Sequence, residues 1–291
     1  MKLAIGTVQF GLSYGVTNHD GQVKNHEIKK ILNLAQQSGI RLLDTARAYG
    51  KSEQALSQYD SLETFKIVTK IPSLNAENKD IKQTFMQSLA ALKVDCVYAL
   101  LFHNADDLLS AEANTFFEQA LEIKAQGLCE KIGVSVYTPE QLAKISDNFP
   151  IDVVQIPLNC FDQRFAQSAC LELYKTHNIE VHTRSLFLQG ALLSDIQSLP
   201  AHFNKFKSDF ERFHKVCTEL QCTPMILALA IALHFDFISQ AIVGVCSTNQ
   251  LEQILTNYAK ALQLLPLHPK HIKVLKCDDL ELINPANWPI N

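Results

Sequence analysis

Three features that mark specialised protein classes are missing from this 291-residue sequence. Lys and Arg number 26 against 30 Asp and Glu, and no run of like charge reaches five residues, which argues against a nucleic-acid-binding tail or a polybasic membrane patch. No stretch approaches the roughly 18 apolar residues of a transmembrane helix. The first apolar stretch is broken by Gly6, Gln9 and Gly11, unlike the core of a signal peptide. We therefore expect small-molecule chemistry without a nucleic-acid or membrane partner, and the sequence identifies no protein partner.

Cysteine spacing typical of disulfide frameworks or metal sites is also lacking. The eight cysteines are scattered, mostly inside apolar runs, and none forms a CxxC pair, which predicts free thiols in a reducing cytoplasm. His214, Cys217 and Cys222 lie close together in sequence, but a second pair of ligands, as in a structural zinc site, does not follow nearby. We expect no metal site.

Short β-prone runs alternate with longer amphipathic runs along the whole chain. Strands are predicted at 3–7, 41–46, 65–70, 97–103, 131–136, 152–157, 179–184 and 240–245. Amphipathic helices are predicted between them at 26–39, 77–93, 112–127, 138–149 and 164–178, several of them ending at a glycine or asparagine stop. Eight β–α units in about 250 residues predict one domain over residues 1–291, folded as a closed (β/α)₈ barrel.

An open, doubly wound parallel sheet is the alternative fold. It would need a GxGxxG turn after the first strand, and the spacing of Gly6, Gly11 and Gly15 does not fit that pattern. Two segments depart from the plain β–α repeat. The connection 185–223, after the seventh strand, is long enough to be functional or to carry extra helices. The tail 263–291, with the single tryptophan Trp288, is predicted to cover the barrel mouth.

Polar residues stand at the ends of three consecutive predicted strands. Asp44 ends LLD, Lys70 ends IVTK and His103 ends LLFH, and Tyr49 follows Asp44 by five residues. Reactive groups of such barrels lie at the carboxyl ends of the strands. Alone, each residue would most often be a salt-bridge or packing residue. Together they predict one reaction centre.

These four residue types suit proton donation to a carbonyl oxygen. A tyrosine phenol, with a pKa of about 10, is a poor acid at neutral pH unless a nearby cation favours its anion. Lys70 is the candidate cation, and Asp44 would keep Lys70 charged. Tyr49 could then protonate a carbonyl oxygen that His103 orients.

Several segments resemble those of the aldo-keto reductases in residue content, order and spacing. They are GTVQFG near the start, LLDTARAYGKSE (42–53), IVTKIP (67–72), LLFHNADD (100–107), IGVSVYTPEQL (132–142), VVQIPLN (153–159) and IVGVCSTNQLEQ (242–253). The resemblance implies NAD(P)H-dependent reduction of an aldehyde or ketone, with Tyr49 as proton donor. Residues implied in cofactor binding are Gly6, Thr7, Asp44, Ser135, Gln155, Arg184, Ser185, Leu186, Gln189, Gly190, Gly244, Ser247, Gln250 and Gln253.

The resemblance also bears on individual roles. Ser135 and Gln155 match positions that hold the nicotinamide carboxamide. Arg184 stands where many members have a stacking aromatic, and it would either stack or bind an anionic substrate group. Gly244 and Gln250 stand where members preferring NADPH carry Lys and Arg. NADPH is expected because the family mostly uses it, and NADH is the alternative.

The substrate pocket is predicted around Tyr14, Arg47 and Phe187, together with Arg184, and packing is the alternative explanation for each. A sugar derivative is suggested by analogy with a bacterial branch that shares GTVQFGLSYG and RSLFLQGALL. Two other functions stay open. One is a cofactor-binding sensor or regulatory protein with little turnover, and the other is a phosphosugar isomerase, or a Schiff-base aldolase using Lys70, on the same fold.

Overall fold

Eight parallel strands close into a barrel in the order of the sequence. A computed structural model describes residues 1–18, 20–74 and 79–289. The strands are β1 (Leu3–Gly6), β2 (Leu42–Asp44), β3 (Lys66–Ile71), β4 (Val97–Phe102), β5 (Cys129–Ser135), β6 (Val153–Pro157), β7 (Glu180–Arg184) and β8 (Ile238–Gly244). β1 pairs with β8, which closes the ring. The predicted barrel is confirmed, and the open sheet is not formed.

Helices follow the strands around the outside of the barrel. In the described ranges they are α1 (Val8–Gly11), α2 (Asn25–Gln37), α3 (Ser52–Leu56), α4 (Ile81–Leu92), α5 (Ala113–Ala125), α6 (Pro139–Asn148), α7 (Ser168–Thr176), α8 (Lys207–Glu219), α9 (Pro224–His234), α10 (Thr248–Gln263), α11 (Pro269–Lys273) and α12 (Leu280–Ile283). In this part of the chain no single helix is long and apolar enough to cross a membrane. The segments Ala201–Glu219 and Pro224–His234 reach that length and composition only as a pair, bent by 88°.

Two predicted helices begin later than their sequence patterns suggest. The start of the helix predicted at 77–93 falls on residues 77 and 78, which lie outside the described residues, and α4 begins at Ile81 with the Asp80 carboxylate accepting from the Gln83 amide at 2.7 Å. The helix predicted at 164–178 is broken. Arg164–Ala166 forms a 3-10 turn, and α7 starts only at Ser168 because the backbone of Gln167 is extended.

The predicted helix stops have the backbone that ends a helix. Gly39, Gly127 and Asn178 have φ values of 82°, 75° and 52°. Glycine and asparagine enter this left-handed region most easily, so these residues turn the chain from a helix into the next strand.

The long connection and the tail both add structure at the end of the barrel where the strands end. The connection carries 3-10 segments at Leu188–Leu193, Ile196–Ser198 and Ala201–Phe206 before α8, so the prediction of extra helices is confirmed. The tail packs on the segments after β6 and β7: the Cys277 amide donates to the Phe161 carbonyl at 3.0 Å, and the Trp288 ring lies 4.9 Å from the Phe203 ring.

Alternation along the strands carries the polar side chains to one end of the barrel interior. A buried cluster is formed by Ala4, Leu42, Val68, Tyr98, Ala99, Leu101, Val153 and Ile242. Residues two apart in a strand share a face. Leu42 is therefore followed on that face by Asp44, Val68 by Lys70 and Leu101 by His103, all nearer to the carboxyl ends of the strands.

A close backbone contact positions the loop after β2. A Cβ atom added to Gly11 would lie 1.7 Å from the Tyr49 carbonyl oxygen and 2.5 Å from the Ser52 amide nitrogen. Only glycine leaves room for this contact, which ties the end of α1 to the segment that contains Tyr49.

Replacement of Gly11 by alanine should therefore force two backbone segments apart. We expect Gly11→Ala to lower the free energy of unfolding by about 3 kcal/mol, as overpacking does at a tight contact. Chemical denaturation measures the change. Gly39→Asn is the control, because a Cβ there meets nothing within 4 Å and asparagine tolerates its φ of 82°. An equal loss in the two variants would contradict the explanation.

Candidate active site

A buried ion pair lies at the centre of the polar cluster. The Lys70 ammonium donates to Asp44 Oδ2 at 2.7 Å, to the Thr45 carbonyl at 2.8 Å and to the Tyr49 hydroxyl at 3.3 Å. The side chain of Lys70 has no exposed surface. A buried charge is tolerated when it is paired and its protons are hydrogen-bonded. These three oxygens meet that requirement, and one of them belongs to Tyr49.

Burial disfavours the charged forms of both Lys70 and Tyr49. Burial opposes the ammonium, yet the pKa of Lys70 is raised because Asp44 and Tyr49 favour its charged form. Burial raises the pKa of Tyr49, and Lys70 only partly offsets this effect. The sequence-based expectation that Lys70 makes Tyr49 a stronger acid is thus correct for the direction of the Lys70 effect and wrong for the net shift. Tyr49 keeps its proton at neutral pH.

His103 contacts Tyr49 edge to face, with ring centroids 5.7 Å apart. Burial and the Lys70 charge lower the pKa of His103 to about 4. The imidazole is consequently neutral at pH 7, with one nitrogen able to donate a hydrogen bond and the other able to accept one.

A second set of hydrogen bonds fixes Asp44. Gln155 donates from Nε2 to Asp44 Oδ1 at 2.7 Å, and Thr7 donates from its hydroxyl to the Asp44 carbonyl at 3.0 Å. Ser52 Oγ lies 2.8 Å from both the carbonyl and the hydroxyl oxygen of Thr7. Both carboxylate oxygens of Asp44 are therefore engaged, and four strands (β1, β2, β3 and β6) are joined through polar groups.

A cavity of roughly 820 Å³ opens beside this cluster. Of the residues predicted for the site, its lining contains Gly6, Thr7, Tyr14, Asp44, Tyr49, His103, Ser135, Gln155, Arg184, Ser185, Leu186, Phe187, Gln189, Gly190, Gly244, Gln250 and Gln253. The cavity thus brings together most of the residues singled out from the sequence. Among the described residues the lining ends at Ile254, so no described residue of the tail predicted to cover the barrel mouth lines the cavity.

Three predicted site residues lie outside the lining. Lys70 is buried behind it. Arg47, predicted for the substrate pocket, points to Glu53 Oε2 at 3.7 Å and donates to Gln87 Oε1 at 3.2 Å. Ser247 caps α10, accepting from the Gln250 backbone amide at 3.2 Å.

Arg184 lies at the same end of the cavity as Tyr49. Its guanidinium is 4.2 Å from the centre of the Tyr137 ring, and Nη2 donates to the Val136 carbonyl at 3.2 Å. Tyr137 was missed by the sequence reasoning, although its place just after a predicted strand is the signal that identified the other strand-end residues.

Two loops meet across the cavity. Gln189 donates from its side-chain Nε2 to the Tyr14 hydroxyl at 3.1 Å, and the Thr17 hydroxyl donates to the Gln189 backbone carbonyl at 3.3 Å. A Cβ on Gly190 would lie 2.0 Å from Thr17 Oγ1, so glycine permits this contact. The segment after β7 and the segment after α1 therefore close over part of the cavity.

Comparison with known proteins decides the family. The sequence model of the aldo/keto reductase family matches residues 2–270. This chain belongs to that family. Methylglyoxal reductase DkgA from Escherichia coli (strain K12) is 27% identical over 196 residues, covering 65% of this chain and 68% of that protein.

Solved structures give the same fold. The holo form of aldo-keto reductase AKR11C1 from Bacillus halodurans matches with a TM-score of 0.75 and 18% identity, over 99% of this chain and 95% of that chain. PA4992 from Pseudomonas aeruginosa matches with a TM-score of 0.64 and 22% identity, over 90% of each chain. At these identities the likeness supports the fold alone.

Membership makes this aldo/keto reductase an oxidoreductase of a family that reduces small carbonyl compounds with nicotinamide cofactors, generally NADPH. The residues that line the cavity fit a nicotinamide cofactor. The cavity volume lies in the range of ligand sites. Ser135 and Gln155 offer polar groups at the reactive end, and the buried Gln9 Oε1 has no hydrogen-bond partner among the described residues. Across the same ranges, no group of three His, Cys, Asp or Glu residues is placed to hold a metal ion.

The neutral state of His103 can be measured directly. We expect the NMR signal that disappears in His103→Asn to titrate with a pKa of about 4, because burial and Lys70 disfavour the imidazolium. The protein has ten histidines, and those other than His103 serve as internal references. Titration of that signal near pH 6.5, the usual value for histidine, would contradict this environment.

Proposed function

We propose that this aldo/keto reductase reduces an aldehyde or ketone to the alcohol with NAD(P)H and that Tyr49 is the proton donor. The observation that carries the proposal is the Lys70 ammonium, which contacts Asp44 at 2.7 Å and the Tyr49 hydroxyl at 3.3 Å at the edge of the cavity. This arrangement delivers a phenol proton to a bound carbonyl oxygen and stabilises the phenolate left behind.

Each residue has a separate task in this reaction. When bound, a reduced nicotinamide cofactor would supply the hydride. Tyr49 donates its proton to the carbonyl oxygen, and Lys70 stabilises the resulting phenolate by charge. Neutral His103 donates a hydrogen bond that orients the same oxygen. Asp44 holds Lys70 charged throughout, and bulk water later restores the Tyr49 proton.

Lys70 is poorly suited to Schiff-base chemistry. A Schiff-base lysine needs a neutral, accessible amine. Lys70 has a raised pKa, is fully buried and lies behind the cavity lining. The Schiff-base aldolase alternative therefore has no support in the geometry.

The cofactor roles suggested by resemblance remain proposals, with support from the cavity lining. Ser135 and the Gln155 amide are proposed to hold the nicotinamide carboxamide, and Gly6, Thr7 and the segment 185–190 to bind along the dinucleotide. A cytoplasmic location is also proposed, supported by eight cysteines that are all free thiols.

A small carbonyl compound, such as a sugar derivative, is the proposed substrate. The name of the E. coli relative, methylglyoxal reductase, supports a small substrate. Tyr14 and Phe187 line the cavity and are proposed to contact it, whereas Arg47, facing Glu53 and Gln87, has no support for that role. Arg184 is proposed to bind an anionic group of the substrate.

Removal of the Tyr49 hydroxyl tests the mechanism. We expect Tyr49→Phe to lower kcat for carbonyl reduction by roughly 10²–10⁴-fold, the usual contribution of general acid catalysis, while cofactor affinity stays nearly unchanged. Tyr137→Phe is the matched control, because that tyrosine also lines the cavity, away from Lys70. Wild-type turnover by Tyr49→Phe would overturn the assignment. Negligible turnover by the wild type, with intact cofactor binding, would favour the sensor alternative.

The role of Arg184 predicts a dependence on substrate charge. We expect Arg184→Gln to raise KM for carbonyl compounds bearing a carboxylate or phosphate by roughly tenfold or more, since it removes a charge-assisted hydrogen bond. KM for neutral aldehydes should change little. Equal effects on both substrate classes would indicate that Arg184 acts on the cofactor instead.

A further inference from the structure

The two ends of the cavity differ in charge. Among the described residues that line the cavity, Arg184 is the only lysine or arginine. It lies at the reactive end, where its charge lowers the pKa of His103, after the larger effects of burial and Lys70. The other end is formed by the end of β8 and the start of α10, where the lining residues Gly244, Cys246 and Gln250 carry no formal charge.

An acidic residue lines that second end. Asp20, from the loop between α1 and α2, belongs to the lining. It is near enough to Cys246 to raise the pKa of that thiol, in addition to the larger effect of burial. The end of the cavity at α10 therefore offers a carboxylate and, among the described lining residues, no cation.

The N-terminus of α10 already holds an anion. The backbone amide and the hydroxyl of Thr248 both donate to Glu27 Oε1 at 2.7 Å. These two hydrogen bonds lower the pKa of Glu27, so its carboxylate is charged at neutral pH. A helix N-terminus favours an anion, and here Glu27 of α2 takes that place. Its other oxygen, Oε2, lies 3.5 Å from the ammonium of the exposed Lys30.

Two more backbone amides near this terminus are engaged as well. The Gln250 amide donates to Ser247 Oγ at 3.2 Å, and the Cys246 amide donates to Gln250 Oε1 at 2.8 Å. Side chains of this protein therefore already occupy the Cys246, Thr248 and Gln250 amides, which leaves fewer donors there for a phosphate.

NADPH differs from NADH by a phosphate on the adenosine ribose. If the reacting end of the dinucleotide lies beside Tyr49, its adenosine half must extend along the remaining lining, toward β8 and α10. A 2′-phosphate there would meet the carboxylate of Asp20, which lines the cavity, and the charge of Glu27, which lies outside the lining on the Thr248 amide. Like charges placed together are unfavourable. The free ribose hydroxyls of NADH can instead donate to a carboxylate, as they do in other dinucleotide sites.

We infer that this chain selects NADH over NADPH, with Asp20 accepting hydrogen bonds from the adenosine ribose and Glu27 excluding a 2′-phosphate from the N-terminus of α10. The inference rests on the proposed function, because it requires a nicotinamide dinucleotide in the cavity. It departs from the NADPH preference expected from the family.

The test is a pair of titrations, with NADH and with NADPH, that follow nicotinamide emission at low ionic strength. Variants are Asp20→Asn, Glu27→Gln and the double variant. Glutamine at position 27 keeps an oxygen for the Thr248 donors while removing the charge. Glu252→Gln is the control, because Glu252 is an exposed carboxylate of α10 that neither lines the cavity nor accepts from Thr248, whose donors go to Glu27.

We expect the wild type to bind NADH about tenfold or more tightly than NADPH, given the cost of like charges. The double variant should reduce this ratio by about tenfold, mainly through tighter binding of NADPH, and Glu252→Gln should leave it unchanged. Tighter binding of NADPH by the wild type, or equal ratios in the double variant and the control, would overturn the inference alone. Binding of neither cofactor by wild-type protein that circular dichroism shows to be folded would overturn the proposed function and this inference with it.

Discussion

The buried ammonium of Lys70 is the constraint on which the rest of the site depends. Its charge is stable in the barrel only because three oxygens surround it, from Asp44, Thr45 and Tyr49. Removing one partner of a buried pair typically costs about 3–5 kcal/mol. The Tyr49 loop is therefore held by the same contacts that make Lys70 tolerable, and Gln155 extends the network to β6 through Asp44. A substitution at Lys70 or Asp44 would therefore alter both the position of the Tyr49 loop and the charge beside Tyr49.

Much of this could be predicted because strand periodicity is local. Residues two apart share a face, so an apolar residue inside the barrel at Leu42, Val68 or Leu101 implies that Asp44, Lys70 or His103 follows it toward the open end. The helix stops at Gly39 and Gly127 indicated where two of the β–α units end and the next strand begins. The break at Gln167 was not visible, since helical spacing of apolar residues continues across it.

Contacts between segments far apart in the chain could not be predicted from the sequence. Gln155 binds Asp44 across 111 residues, and Thr248 binds Glu27 across 221. Such pairs depend on how loops and helices lie around the closed barrel, which local patterns do not encode. Arg47 illustrates the reverse: its position beside the Tyr49 loop suggested the pocket, but the turn directs it to Glu53 and Gln87. The net pKa shift of Tyr49 likewise needed its burial, a property of the whole fold.

The direction of that shift matters for the proposed chemistry. Each unit of pKa corresponds to about 1.4 kcal/mol between the two protonation states. Burial stabilises the neutral phenol of Tyr49, and Lys70 stabilises the phenolate that forms when the proton leaves. A site that ionised Tyr49 fully would have no proton to give, and one without Lys70 would hold the proton too firmly. The opposed effects leave Tyr49 protonated at rest but able to lose its proton beside a cation, which suits reduction of a carbonyl better than oxidation of an alcohol at neutral pH.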